Sequence, residues 1–409
     1  MYILSRPAIY ALEITAQCDH HCVGCSNVYA ADHTATEAPL PAVTWATILQ
    51  SIAPDAVQLR ITGGEPTLHP EFFEILDMTT SYEAWVTLST HGQWAEPEAL
   101  VTHLNMYPNI SGLLLSLHGA TAATHEAFTA TPGSFAPTVA NARLAAARGL
   151  RVAISTVITH YNWDEVDAIV ALARRIGADQ VIFDRYLGHP LPGVEATADE
   201  LRAATVRIEA LQNSDLKVRY GIGIPQCFVE NCSEGCLAGA ALAAVDPWGN
   251  LRPCSSSPTI IGSLLNTSID TLWHSEAMDA WRARIPQSCI QLCSAYGRCH
   301  GGCKALQELR DDGRDPLRTQ PVRNYTLPTS TRTLPANVHP IANHLRLQPE
   351  TFGYAILGNG YVVPVSNGAH AVLEACNGKH SFADLINRFG DQALDLLGEL
   401  WDRGLLSPQ

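Results

Sequence analysis

The chain has 409 residues, 46% of them hydrophobic and 16% charged, and a formal net charge of -14. These values predict an ordered globular protein with two or three domains. The negative charge argues against nonspecific binding to nucleic acid or to anionic membranes, because such binding requires a positive surface. No apolar run approaches the length of a membrane span, and residues 1–9 contain no secretory h-region. We therefore expect a cytoplasmic protein that binds neither nucleic acid nor membrane.

The chain contains twelve cysteines: three near the N-terminus, eight between residues 227 and 303, and one at 376. The cytoplasm is reducing, so this distribution favours metal ligation over disulfide bonds.

Short β-branched apolar runs alternate with longer helical patterns between residues 9 and 215. Such alternation predicts parallel strands with right-handed crossovers. Six units suit an α/β fold of the partial (β/α)6 barrel type over residues 1–215, in which the loops after the strands carry the chemistry. The predicted strands are 9–15, 57–62, 84–90, 112–118, 151–158 and 179–184, and the predicted helices are 43–53, 71–80, 97–105, 135–150 and 163–178.

Cys18, Cys22 and Cys25 form a Cys-x3-Cys-x2-Cys triplet directly after the first predicted strand. Three thiolates can hold three irons of a 4Fe–4S cluster and leave the fourth iron open, whereas ferredoxin-type clusters use four cysteines. Structural zinc is the alternative, but zinc knuckles usually add a second cysteine pair nearby. The spacing resembles the radical S-adenosylmethionine (SAM) superfamily, in which the open iron binds the amino acid end of SAM. The resemblance implies an enzyme with SAM and a 4Fe–4S cluster as cofactors.

The second predicted strand ends in the sequence TGGEP. By resemblance to the family, Gly63, Gly64, Glu65 and Pro66 hold the SAM amino group. Four further residues are candidates for SAM contacts, although each also fits an ordinary strand residue: Thr90 in a turn, Ser116 and Ser155 near the ribose or carboxylate, and Phe183 near adenine.

The triplet loop departs from the family pattern at one position, and it also contains two histidines. The family commonly has an aromatic residue just before the last cluster cysteine, and this chain has Gly24 there. His20 and His21 are expected to be exposed loop residues rather than ligands.

Residues 216–310 are rich in glycine and cysteine and predict a loop-rich domain stabilised by metal sites. Eight cysteines suit two 4Fe–4S clusters or two zinc sites, and counting alone does not decide between them. The spacing resembles the SPASM extension of radical SAM enzymes, which implies one or two auxiliary 4Fe–4S clusters. By resemblance, the first would use Cys232, Cys236, Cys254 and Cys303, and the second Cys289, Cys293 and Cys299.

The second auxiliary cluster has no obvious fourth ligand, because the family's last cysteine is missing after Cys303. Its remaining iron could be open, could bind Asp315, or could bind a remote cysteine. Cys227 is the leading remote candidate and Cys376 a poorer one.

Residues 311–340 are rich in Pro, Thr, Arg and Asn and predict a linker. Residues 341–409 predict a small α+β domain of strand, turn, strand and three helices, with the turn at Asn359–Gly360. The pattern resembles the winged-helix-like PqqD family of peptide chaperones, which bind a leader peptide at a sheet edge. A structural cap is the alternative. Cys376 is expected to be a buried, small apolar residue.

The resemblance as a whole implies modification of a ribosomally made peptide, by a cross-link or another oxidative C–H functionalisation. The expected partners are a precursor peptide and an electron donor such as flavodoxin or ferredoxin. The alternatives are modification of a small molecule such as a tetrapyrrole, sulfatase-type formylglycine formation, and a noncatalytic iron–sulfur scaffold or electron-transfer protein. The sequence identifies no general acid or base.

Overall fold

The protein is built around one large, mostly parallel sheet. The computed structural model describes residues 2–29, 37–212, 214–221, 223–229, 235–310, 312–324, 334–342 and 345–409. The strands of this sheet are β1 Ile9–Glu13, β2 Gln58–Thr62, β3 Trp85–Thr90, β4 Ile110–Ser116, β5 Val152–Ile158, β6 Gln180–Arg185, β7 Lys217–Tyr220, β8 Leu242–Val245, β9 Asn250–Arg252 and β10 Gly262–Ser263. Their spatial order is β10-β9-β8-β1-β2-β3-β4-β5-β6-β7.

The predicted α/β fold with a parallel sheet is confirmed. All six predicted strands are present to within two residues at each end, and β1 to β6 pair in parallel in sequence order. The predicted helices correspond to α1, α2, α3, α5 and α6, whereas α4 and α7 were not predicted. The helices of this region are α1 Ala42–Ile52, α2 Phe72–Thr80, α3 Pro97–Leu104, α4 Ala122–Thr129, α5 Phe135–Ala147, α6 Val166–Ile176 and α7 Ala198–Leu211.

Side chains alternate between two surfaces along the parallel strands. Leu59 and Ile61 of β2 are fully buried in the main core beneath the helices, while the intervening Arg60 is only half-buried. The same alternation runs along β3, β5 and β6. Since successive side chains point to opposite faces of a strand, the sheet has one apolar outer face and one partly open inner face, which we call the lumen.

Four strands extend the sheet beyond the six that were predicted. β7 adds next to β6 in parallel, and β8 adds in parallel on the other side of β1. β9 and β10 continue the sheet beyond β8 in the antiparallel direction. These four strands lie in residues 216–310, so this part of the chain shares its sheet with the barrel.

The cysteine-rich region continues with five short helices, α8 Ile269–Trp273, α9 Glu276–Arg282, α10 Gln287–Leu292, α11 Tyr296–Cys299 and α12 Lys304–Glu308. No helix in the described part of the chain combines the length and apolar character that crossing a bilayer requires.

Residues 334–409 form a small α+β unit with its own core. The strands and helices are β11 Pro340–Ala342, β12 Arg346–Glu350, β13 Gly353–Gly358, β14 Tyr361–Val365, α13 Ala369–Ala375, α14 Phe382–Phe389, α15 Asp391–Asp402 and β15 Leu406–Pro408. The predicted turn joins β13 to β14, and both of its residues have positive φ, 48° at Asn359 and 76° at Gly360. The structure adds β12 and the β11–β15 pair to the prediction.

The three-stranded sheet of this unit is covered on both faces. Ile356 and Val363 face the unit's own helices, whereas Ala355, Leu357 and Val362 pack against the barrel. The barrel residues in that contact stand at or just before the beginnings of β1 and β2: Leu4, Ala8, Ile9 and Val57. The unit therefore docks at the amino ends of the parallel strands.

An ion pair between Glu13 and Arg252, both fully buried, fastens the end of β1 to β9. Replacing Arg252 with methionine leaves the Glu13 carboxylate buried without its cation, and we expect this to cost about 3–5 kcal/mol of stability. Combining Glu13→Gln with Arg252→Met removes the uncompensated charge and should restore part of the loss. Anaerobic thermal unfolding measures both effects.

The matched control is Arg148→Ala, because the Arg148–Glu98 pair is exposed and should contribute about 1 kcal/mol or less. Equal losses for Arg252→Met and Arg148→Ala would show that the buried pair has no special role.

Candidate active site and cluster-binding cysteines

Cys18, Cys22 and Cys25 lie together in the loop that follows β1. All three are free and half-buried. Burial raises the pKa of the Cys18 thiol to about 12, and the charges of Glu65, Cys25 and Asp19 add to the rise. Burial and the neighbouring Cys25 and Cys18 likewise raise the pKa of Cys22. Because thiolates this close repel one another, the loop fits a group that supplies positive charge, as the irons of a cluster do.

The glycines of the GGEP segment allow the β2 loop to lie directly on the triplet loop. A Cβ atom at Gly63 would stand 2.3 Å from the carbonyl oxygen of Thr15, and one at Gly64 would stand 2.1 Å from that of Gln17. The backbone N–H groups of Gly64 and Glu65 donate to the same two oxygens, each at 2.7 Å. The glycines are thus required for the approach of one loop to another, in addition to their predicted role in SAM binding.

Glu65 joins the loops after β2 and β3. Its carboxylate is fully buried and accepts hydrogen bonds from the Thr67 backbone N–H at 3.2 Å and the Thr67 hydroxyl at 2.6 Å. It also accepts from the Thr90 hydroxyl at 2.8 Å and the His91 backbone N–H at 2.9 Å. Thr90 in turn accepts from the indole N–H of Trp94 at 2.9 Å. Two predicted SAM residues, Glu65 and Thr90, therefore contact each other directly, and Pro66 is buried beside them.

The expectation that His20 is exposed is wrong. Its ring is buried, lies 4.0 Å from the ring of His91 in a stacked arrangement, and has Nε2 2.8 Å from Oε1 of Gln93. His91 Nε2 lies 2.7 Å from Oδ1 of Asp19. Burial opposes protonation of His91, but Glu65 and Asp19 outweigh it and raise its pKa. His21 is exposed, as predicted.

Ser116 and Ser155 are neighbours on the lumen face. They are paired in the register of β4 and β5, and the Ser155 hydroxyl donates to Oδ2 of Asp184 at 3.0 Å. Phe183 is different: it is fully buried in the core beneath the helices. Strand alternation turns its ring away from the lumen, so the predicted contact with adenine is corrected, and Ile182 and Asp184 are the lumen-facing residues there.

Two aromatic rings from elsewhere in the chain fill the space beside Gly24. A Cβ atom at Gly24 would stand 2.6 Å from the ring of Tyr186, just after β6, and 3.0 Å from the ring of Phe128 in α4. The Tyr186 hydroxyl donates to the carbonyl oxygen of His189 at 2.9 Å, which fixes the ring. The rings of Tyr186 and Phe128 therefore lie beside Gly24, where the family commonly has an aromatic side chain of the loop itself.

Three of the four cysteines predicted for the first auxiliary cluster come together. Burial and then the charges of Cys236 and Cys303 raise the pKa of Cys254, and burial and the charge of Cys236 raise the pKa of Cys303. Backbone N–H groups of Ala238 and Leu306 point at the sulfurs of Cys236 and Cys303, each at 3.4 Å. Cys232 lies outside the described residues.

The cysteines predicted for the second auxiliary cluster form a separate group. Cys289, Cys293 and Cys299 line one cavity, and Cys227 lines it with them. Cys376 lies far from both groups, in the core of the C-terminal unit. It is buried, as expected, and its thiol donates to the carbonyl oxygen of Val372 at 3.3 Å.

Comparison with known proteins identifies the class of protein that this fold and these cysteines define. The radical SAM superfamily profile matches residues 12–173, and the SPASM profile, an iron–sulfur cluster-binding domain, matches residues 236–300. The mycofactocin maturase MftC of Mycobacterium tuberculosis is 31% identical over 278 residues, which is 63% of this chain and 69% of the maturase. The chain belongs to the radical SAM superfamily.

Two further relatives differ in substrate. The PqqA peptide cyclase of Methylobacterium nodulans is 26% identical over 388 residues, covering 90% of this chain and 98% of the cyclase. The AdoMet-dependent heme synthase of Methanosarcina barkeri is 26% identical over 331 residues, covering 74% of this chain and 92% of the synthase.

The fold also matches a solved structure. Streptococcus suis SuiB bound to S-adenosylmethionine superposes with a TM-score of 0.63 at 19% sequence identity, covering 77% of this chain and 78% of SuiB. This likeness supports the partial barrel of the radical SAM fold.

The protein is therefore a radical SAM enzyme whose cofactors are SAM and 4Fe–4S clusters. The residues fit these groups: three clustered thiols lie at the carboxyl end of β1, and two further cysteine groups carry backbone N–H donors directed at sulfur.

Single replacement of Cys18, Cys22 or Cys25 by alanine should abolish SAM cleavage, because each removes one of only three iron ligands. The measurement is 5′-deoxyadenosine formed by anaerobically reconstituted protein with a reductant. Cys376→Ala is the matched control and should cleave SAM at the normal rate. Normal cleavage by any triplet variant would contradict the assignment.

Tyr186→Ala should expose the triplet loop to solvent and oxygen, whereas Tyr186→Phe keeps the ring and loses only the hydroxyl. We expect the alanine variant to lose its iron–sulfur absorbance in air several-fold faster than the wild type. The phenylalanine variant should match the wild type. If both variants bleach at the wild-type rate, the ring does not shield the site.

Proposed function

We propose that this enzyme modifies a ribosomally made precursor peptide. The observation that carries the proposal is the alignment with the PqqA peptide cyclase of M. nodulans over 90% of this chain. Residues 334–409 make up almost a fifth of the chain, so an alignment of that extent must include part of the C-terminal unit. The similarity to a mycofactocin maturase points in the same direction.

Reductive cleavage of bound SAM supplies a 5′-deoxyadenosyl radical that abstracts a hydrogen atom from the substrate. The part of this chain is to hold SAM and peptide in the lumen and to exclude water. The lumen face of the strands is polar enough to orient a peptide: the Gln58 amide donates to Thr87 at 3.3 Å, and Thr87 shares a hydrogen bond with Ser111 at 2.6 Å. Arg60 and the Ser155–Asp184 pair lie on the same face.

The favoured outcome is an oxidative one, such as a cross-link. Removing a hydrogen atom and then one electron from the peptide allows a new bond to form with release of a proton. An auxiliary cluster bound by the second block of cysteines would accept that electron. The electron that starts SAM cleavage would come from a donor such as flavodoxin or ferredoxin. The residues proposed to contact SAM are Gly63, Gly64, Glu65, Pro66, Thr90, Ser116 and Ser155. The proposed location is the cytoplasm, because its reducing conditions suit the free cysteines.

The proposed domain division is 1–215 for the barrel, 216–310 for the auxiliary clusters, 311–340 for a linker and 341–409 for a winged-helix-like recognition domain. Residues 334–340 already pack with the last of these, since Leu334 and Val338 contact its core. A sheet sandwiched between the barrel and helices α13–α15 leaves only its strand edges for peptide binding.

Each sheet edge offers few backbone donors. The residues flanking the turns are paired in register, which turns the backbone of Leu347 and Pro349 in β12, and of Val362 and Pro364 in β14, outward. Proline has no N–H group, so Leu347 and Val362 carry the outward donors. Strand addition by a leader peptide would depend on these two positions.

A small molecule is the second candidate substrate, because the M. barkeri heme synthase is also a relative.

We expect a SAM-dependent change in the mass of the peptide encoded beside the gene when this peptide is incubated anaerobically with reconstituted enzyme and reductant. Omission of SAM is the control. SAM cleavage with an unchanged peptide mass would overturn the peptide proposal and favour a tetrapyrrole-like substrate.

Leu347→Pro and Val362→Pro each remove one outward N–H without breaking the pairing inside the sheet. At least one should weaken binding of the precursor peptide by several-fold or more, while SAM cleavage without peptide stays normal. Val363→Pro is the contrasting control, since it breaks the β13–β14 pairing and should destabilise the unit. Unchanged peptide affinity in both edge variants would contradict recognition by strand addition.

A further inference from the structure

We propose that Cys227 is the fourth ligand of the second auxiliary cluster, so that this cluster is held by four thiolates and has no open iron. The proposal depends on the iron–sulfur chemistry of the family and is independent of the substrate. The proposed ligands are Cys227, Cys289, Cys293 and Cys299. Cys227 precedes the other three in the sequence by more than 60 residues.

The four cysteines share one cavity, which contains about 400 Å³ of space, part of it open to solvent. Cys289 lies within α10, Cys293 directly follows that helix, and Cys299 is the last residue of α11. Cys227 lies on the segment that follows β7. Four sulfurs around one cavity match the number that a closed 4Fe–4S cluster requires.

Backbone hydrogen bonds hold the sulfurs in place. The N–H of Thr319 donates to Sγ of Cys227 at 3.4 Å, and its hydroxyl donates to the Cys227 carbonyl oxygen at 2.7 Å. The N–H of Gln226 donates to Sγ of Cys299 at 3.4 Å. N–H donors of this kind are a means by which proteins stabilise cluster thiolates and tune their reduction potential.

A buried polar group in the cavity independently indicates a missing acceptor. Gln226 lines the cavity, is 2% exposed, and has neither its Nε2 nor its Oε1 paired with any described residue. The buried Nε of Arg318, on the same cavity wall, is likewise unpaired within the described chain. Buried donors are nearly always satisfied in native proteins. The inorganic sulfides of a cluster are acceptors that these two donors could use.

The rival ligands are engaged elsewhere. Asp315 forms a buried ion pair with Arg185 at 2.7 Å and accepts from the N–H of Leu317 at 3.0 Å. It contacts the backbone of Cys303, which belongs to the first auxiliary group, and it does not line the cavity. Cys376 lies in the core of the C-terminal unit. Among the cysteines that the structure describes, Cys227 is the one that joins Cys289, Cys293 and Cys299 at this cavity.

A closed cluster cannot bind substrate through iron. The second auxiliary cluster would then serve as an electron carrier. It would also cross-link the segment after β7 to helices α10 and α11. In this arrangement, substrate contact is left to the lumen.

The test compares full-length wild type, Cys227→Ala, Cys227→Asp and Cys376→Ala after identical anaerobic reconstitution. EPR is recorded on the same variants made in a Cys18→Ala/Cys22→Ala/Cys25→Ala background, because the open iron of the triplet cluster would itself give a three-iron signal after oxidation. In that background Cys227→Ala opens one iron site, so brief oxidation should remove that iron and produce the EPR signal of a three-iron cluster. Cys227→Asp supplies a carboxylate and should keep the iron with a changed EPR spectrum. Cys376→Ala should match the wild type in iron content and spectrum.

SAM cleavage is measured in parallel in the variants that keep the triplet, as a check on folding, and it should persist in each of them. Loss of the entire second cluster in Cys227→Ala, matching the loss in Cys289→Ala, would also support ligation. In the triplet-free background, iron content and EPR spectra of Cys227→Ala identical to those of the parent protein, without a three-iron signal after oxidation, would overturn the proposal.

Discussion

The parallel pairing of β1 with β8 is the constraint on which the rest of the structure depends. β1 is fully buried and pairs with β2 on one side and β8 on the other. The loop after β1 carries the first three cysteines, and the chain after β8 reaches Cys254 within nine residues of Val245. The buried Glu13–Arg252 pair fixes the same junction. One strand thus sets the position of the SAM-binding loop relative to the first auxiliary cysteines.

The ends of β1, β2 and β3 behave as a single connected structure. Gly63 and Gly64 bring the second loop against the first, and Glu65 joins the second to the third through Thr90 and His91. The hydrogen bonds in these contacts are 2.7–2.9 Å long, and the donors to the Glu65 carboxylate are groups of the chain itself. A site assembled in this way is held in position before SAM or substrate arrives, which is the arrangement that accurate hydrogen abstraction needs.

The sequence predicted what is local and left out what is tertiary. β-branched runs revealed β1 to β6, but β8 is a strand of only four residues whose partner lies more than 200 residues away. α7 could have been found from its Thr197–Glu200 capping box, whereas α4 has a weak apolar pattern. The cysteine spacing gave the ligand types. It offered Cys227 only as one of several candidates for the group of Cys289, and it did not reveal the shield of Tyr186 over Gly24 or the face of β6 to which Phe183 belongs.

The position of the C-terminal unit has a consequence for the substrate. The unit contacts the beginnings of β1 and β2, whereas the SAM-binding loops lie at the opposite ends of the same strands. The five-residue strands β1 and β2 span roughly 17 Å, and an extended peptide covers about 3.3–3.6 Å per residue. A precursor held at the unit's edge would therefore have to extend along the length of these strands before it reached the SAM-binding loops. Its recognition sequence and its modified residue would have to be separated by about five residues or more, and a shorter spacer would prevent the same peptide from being bound by the unit and modified in the lumen.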